Sequence, residues 1–232
     1  GGFLAERQVG EILGDWDGYW DHRVDEVGDL LSEELDRRQI DGTAAAEALL
    51  AAWEEQGVEL AQADLEELRR RYRTSALALY DADGELVAWD GVHRGKVPES
   101  VQSGESRESY RDLPLFGYLY LTSRGGDGSV AVAAYLLRAA LPAGLGADMG
   151  DLASRFYEET GERIRITEED PGVAEAIWDL ALDEDRLLSV VLQRPTAEER
   201  AATIRHRWAV TMSVLAGVEW LLLALGGPFA LA

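Results

Sequence analysis

The sequence predicts an α+β fold: a long N-terminal helical region, an antiparallel sheet, and a C-terminal helix leading into a transmembrane segment. Three observations carry this expectation. Apolar residues recur every three or four positions from Trp16 to Leu35. Later stretches alternate apolar and other residues on either side of glycine-bearing turns. Residues 209–232 contain a single charge, Glu219.

The helical region comes first. Trp16, Trp20, Val24, Val27, Leu31 and Leu35 make one apolar stripe, and acidic residues and Arg23 occupy the opposite side. The stripe suits packing against the chain's own sheet, or pairing with the same helix of a second copy. Heptads do not continue past Leu35, so a long coiled coil is not expected. Asp41-Gly42 is expected to interrupt the helix, with Thr43 capping a new one that ends near Gln56-Gly57. A third short helix follows Asp64. Its arginines at 69–71 sit where the helix dipole favours cations.

Residues 75–91, SALALYDADGELVAWDG, read as two strands about a turn at Asp81-Ala82-Asp83-Gly84, where Gly84 is free to take a positive φ. A loop spans about 92–109. Strands at 116–122 and 130–137 form a second hairpin about SRGGDGS. A helix at 152–160 ends at Gly161, and a strand at 163–166 is closed by Pro171-Gly172. A last hairpin joins 177–182 to 187–193. Thr196 and Glu199 form a capping box for a helix from about Ala197. These connections are too short for parallel crossovers, so the sheet is expected to be antiparallel. The layout divides into a helical lead-in (1–74), a sheet domain (75–195), an exit helix (196–208) and a truncated transmembrane segment (209–232).

Composition narrows the function classes. The chain has 232 residues, and 47% are hydrophobic, enough for a substantial core. Its net charge of −22 repels phosphate backbones, so no nucleic-acid partner is expected. There is no cysteine, and His22, His93 and His206 are scattered, so neither a metal site nor a cofactor is expected. Asp81-x-Asp83-Gly84 resembles the start of a calcium loop but lacks the later ligands, and reads as a turn. Gly125-Gly126-Asp127 reads as a turn too. The acidic clusters at 168–170 and 183–185 read as solvated turns, with divalent-cation binding as the alternative. No catalytic set of residues is apparent, so no catalytic residue is assigned.

The tail at 209–232, as a helix, would reach roughly 36 Å, enough for a hydrocarbon core of about 30 Å. Glu219 nearly offsets the apolar gain and calls for a polar partner in the membrane. Both ends of the chain read as cut from a longer protein. Arg205, His206 and Arg207 would place residues 1–208 in the cytoplasm by the positive-inside rule. That rule weakens for long translocated domains.

Taken together, the helical lead-in, ALALYDADGELVAWDG, the tyrosine-bearing strand FGYLYLTS, the Gly turn with VAVAAYLL, and the exit helix resemble a known family. They are similar to the extracytoplasmic PAS-like sensor domains (Cache, or PDC, type) of bacterial membrane receptors, foremost the sensor histidine kinases. The resemblance covers roughly residues 16–208. It implies a long helix against an antiparallel sheet, a small-molecule pocket between the sheet and a covering loop, and an output module elsewhere in the protein. With the apolar tail, it places residues 1–208 outside the bacterial inner membrane with attachment through 209–232, and pairing through the Trp16–Leu35 helix would give a homodimer. In such domains the covering loop and middle strands hold the ligand. Here they offer Trp89, His93, Arg107, Tyr110, Arg111, Tyr118 and Tyr120, arginine to grip a carboxylate and tyrosine to orient it. The same side chains also suit packing and surface ion pairs. A ligand-free interaction domain and an extracytoplasmic enzyme are the alternatives.

Overall fold

The computed structural model describes residues 2–60, 62–140, 150–168, 177–183 and 186–226. A helix α1 (Gly2–Gly14) precedes the apolar stripe expected from Trp16, and α2 (Trp16–Gln56) follows α1. The Asp15 side chain accepts the Gly18 amide at 3.1 Å, at the start of α2. Helix α2 runs unbroken through Asp41-Gly42-Thr43, which corrects the expected interruption. The reason is packing. A Cβ on Gly42 would lie 2.8 Å from both Leu121 Cδ2 and Tyr135 Cε2, so glycine lets the helix backbone approach the sheet. That contact offsets the roughly 1 kcal/mol that a helical glycine costs relative to alanine. Thr43 caps nothing; its hydroxyl donates to the Gln39 carbonyl at 2.9 Å within the helix. The buried stripe continues past Leu35 through Arg38, Gly42, Ala45 and Leu49, in steps of three and four.

The chain forms two compact units, residues 1–26 with 194–232, and residues 27–193; α2 contributes to both. In the first, α1 packs with the C-terminal helix through Val9, Ile12, Ala201 and Ile204, with Trp16, Tyr19 and Trp208 alongside. Arg205 pairs with Glu6 at 3.2 Å, and Arg200 donates to the Tyr19 hydroxyl at 3.2 Å. The C-terminal helix spans Ala197–Gly226. Its capping box forms as expected: Glu199 accepts the Thr196 amide at 2.8 Å, and Thr196 Oγ1 accepts the Glu199 amide at 3.2 Å. Among the described residues, no helix is long and apolar enough to cross a membrane. The side chains of residues 215–226, and residues 227–232 altogether, lie outside the described residues. Most of the span expected at 209–232 lies there with them.

The second unit holds α3 (Gln62–Arg71), β1 (Ala76–Tyr80), β2 (Leu86–Gly91), the short α4 (Glu99–Gln102), β3 (Glu108–Asp112), β4 (Phe116–Arg124) and β5 (Val130–Ala139). These are followed by α5 (Leu152–Thr160), β6 (Arg163–Thr167), β7 (Trp178–Asp183) and β8 (Arg186–Gln193); the C-terminal helix is α6. Among the described residues every strand pairing is antiparallel. The strands form two sheets rather than one, ordered β2-β1-β5-β4-β3 and β6-β8-β7. Helix α5 separates β5 from β6, and β6 pairs with β8 instead of extending the first sheet. Strand β3 lies at the end of the stretch read as a loop. Its sequence, ESYRD, lacks an apolar alternation, and its pairing with β4 from Glu108↔Leu121 to Asp112↔Gly117 makes it a strand.

Helix α2 serves both sheets along its length. Near its middle, Ser32 Oγ donates to the Ile177 carbonyl at 3.0 Å, and the Trp178 indole donates to Asp36 at 2.7 Å, which fastens the small sheet. Further on, Gln39 donates to Glu108 at 2.8 Å, and Arg38 stacks 5.5 Å over the Tyr135 ring. The stripe from Val27 to Leu35 is therefore buried within its own chain. The turns follow their sequence. Asp81 Oδ1 accepts the amides of Asp83 and Glu85 at 3.0 and 2.9 Å, and Gly84 takes φ +80. The Asp151 side chain caps α5 by accepting the Ser154 amide, and Gly161 ends it at φ +79. Pro171-Gly172 and the turn at 184–185 lie outside the described residues, as do parts of both acidic clusters.

Candidate functional site: a cavity under the 92–98 strap

Alternate residues of a strand point to opposite faces. On the face of the large sheet that turns toward α2, Leu77, Leu79, Leu119, Leu121 and Tyr135 are buried. On the other face, β1 and β5 present Ala76, Ala78, Val132 and Ala134. These side chains are too short to fill the layer above them. A cavity of about 540 Å³ results, with these four residues as part of its floor.

The wall comes from the edge strand and the loop after it. Trp89 pairs with Ala78 across β1 and β2, so its ring lies on the cavity face, and it is 45% exposed. Leu86 pairs with Tyr80, and both line the cavity. Residues 92–98 form a strap, with His93 and Lys96 lining one side and Gln102 of α4 beyond. Lys96 pairs with Glu99 at 3.0 Å, and Gln102 donates to the Val97 carbonyl at 2.6 Å, so both side chains brace the strap.

His93 holds the strap to the sheet. Its Nδ1 lies 3.0 Å from the Gly95 carbonyl, an acceptor only, so Nδ1 carries the proton. The neutral ring therefore accepts from the Tyr120 hydroxyl through Nε2, at 2.8 Å. Burial lowers the His93 pKa, opposed by the Gly95 hydrogen bond, which favours this neutral form. The ring also sits 4.4 Å from that of Tyr118, whose hydroxyl accepts the Arg94 amide at 3.0 Å. Burial raises the pKa of Tyr118 and Tyr120, so both remain phenols. Burial raises Tyr80 as well. Its hydroxyl makes no hydrogen bond among the described residues, which leaves it the unspent polar group of the inner wall.

The structure brings together four of the seven residues that the sequence singles out. Trp89 and His93 line the cavity, and Tyr118 and Tyr120 lie beneath His93 as its supports. Arg111 shares the Tyr118 face, but its guanidinium donates to Ser100 at 3.0 Å and does not line the cavity. Tyr110 lies on the opposite face, level with Leu119, with its hydroxyl 3.4 Å from Asp112. Arg107 is exposed before β3, where its carbonyl accepts the Thr122 amide. Sequence reasoning missed Tyr80, Lys96, Gln102 and the small floor. The floor had a signal: alanine at every second position of ALALY, facing an equally small set in VAVAAY. Among the described residues, no group of acidic and histidine side chains is arranged to hold a metal. No protein-family model matches the chain, and no curated protein matches it in sequence.

Proposed function

We propose that this chain is the small-molecule sensing domain of a bacterial membrane receptor, PAS-like in the Cache (PDC) sense, of the kind carried by sensor histidine kinases. The cavity carries the reading. It has the volume usual for small-ligand sites, an apolar floor, a few polar groups and a covering strap latched by one histidine. In this reading residues 1–208 lie outside the inner membrane, and 209–232 enter it. The exposed start of that tail supports the membrane part: Val210, Met212 and Val214 stand uncovered on α6, and the Ser213 hydroxyl is satisfied by the Ala209 carbonyl at 2.8 Å. Ligand would favour one packing of the strap and sheet over another, and the helices would carry that shift to an output module. The homodimer of this reading would use faces of α2 where Leu30 and Ile40 stand exposed.

A broad metabolite panel read by thermal shift tests the proposal. Ligands should raise the melting temperature of the wild type, with the gain lost in Trp89→Ala. A second reading has its own observation. Leu86, Val87, Trp89 and Val92 expose apolar surface along an edge strand and the residue after it, which suits a protein partner without a small ligand. No shift across the panel, with a partner captured only when this strip is intact, would favour that reading.

A further inference from the structure

The charged groups around the cavity point to a ligand class. Only one cation, Lys96, and one carboxylate, Glu85, line it among the described residues. The Lys96 side chain is 72% exposed and already paired with Glu99. Neither Arg107 nor Arg111 reaches the cavity, and His93 is spent as a neutral latch with both ring nitrogens engaged. A carboxylate entering here would shed water without gaining a free cation, in a chain of net charge −22. A neutral molecule meets no such penalty. The floor is aliphatic, the Trp89 ring offers a flat face for stacking, and Tyr80 holds an unengaged hydroxyl.

Resting on the ligand-binding reading of the same cavity, we infer that it takes an uncharged, largely apolar and preferably aromatic molecule bearing one hydrogen-bonding group, and that it discriminates against the corresponding carboxylate. The ring lies against Trp89 above the alanine floor, and the polar group meets the Tyr80 hydroxyl.

The test uses matched pairs titrated into the full chain: 2-phenylethanol with phenylacetate, and indole-3-ethanol with indole-3-acetate. Binding is read by calorimetry and by saturation-transfer NMR of the ligand. Each alcohol should bind at least about tenfold more tightly than its acid, because the buried charge finds no partner. Tyr80→Phe should weaken the alcohol by roughly three- to tenfold. Arg107→Gln, an exposed change away from the cavity, should leave it within about twofold. Ala78→Leu, which fills the floor, should abolish binding. Acids bound as tightly as the alcohols, and lost on Lys96→Gln, would overturn the neutral class while leaving the cavity a ligand site. Alcohol binding unaffected by Ala78→Leu, or no binding by any of the four probes, would also overturn it. The sensing proposal falls only if the broad panel fails as well.

Discussion

The two faces of the five-stranded sheet are made from neighbouring residues of the same strands, yet they do opposite things. Toward α2, leucines and Tyr135 fill the layer, and glycine at position 42 brings the helix close. Away from α2, alanines and a valine leave a cavity, and a strap closes over it. A strand sequence thus sets two independent volumes, one for each parity. The filled face supplies burial, and the short face supplies room for a guest at the cost of stability.

The comparison can be broken most forcefully from the filled side. Leu119→Ala should cost about 3 kcal/mol by urea denaturation, since Leu119 is fully buried and its site cannot fully collapse. Gly42→Leu should cost about 2 kcal/mol, because even its Cβ meets Leu121 and Tyr135. A loss under about 0.5 kcal/mol for either would mean that α2 is not seated on the sheet as described. Substitutions on the cavity side sharpen the contrast. Tyr120→Phe removes the hydroxyl that His93 accepts, and should cost about 1 kcal/mol. It should also speed hydrogen exchange across residues 92–98; unchanged exchange would show that the latch does not hold the strap. Ala78→Leu should change stability by under about 1 kcal/mol, since it grows into open space.

The smallest expected effect is a pH dependence. The pKa of His93 is lowered in the folded protein, chiefly by burial. The unfolded chain therefore takes up this proton first as pH falls. The associated stability is fully present above the unfolded value of about 6.5, and is lost as pH falls through the lower folded value. Comparing wild type with His93→Gln between pH 5 and pH 8 isolates this contribution. Equal slopes would remove His93 as its source.

Much of the fold was legible because its signals are local. The Thr196–Glu199 box, the Asp81 turn and the Gly161 terminus each depend on residues within a few positions of one another. Gly42 was misread for the complementary reason. Its role depends on Leu121 and Tyr135, about eighty and ninety residues away, and sequence spacing carries no record of that approach. The candidate site divides in the same way. Trp89, His93, Tyr118 and Tyr120 were singled out as aromatic side chains of the hairpins and the covering loop, the regions to which the resemblance points. Strand parity then removed Tyr110 from their company, and Ser100 engaged Arg111.

By itself the sequence determined the α+β class, the long N-terminal helix, the hairpins and the helix ends at Gly161 and Thr196, because periodicity and capping act over a few residues at a time. Only the tertiary structure decided that α2 is continuous, that the strands divide into two sheets, and that the face lined by small residues stays open. Each of these depends on which distant side chains compete for the same volume. Until the chain has closed on itself, an alanine facing a leucine and an alanine facing a cavity are the same residue.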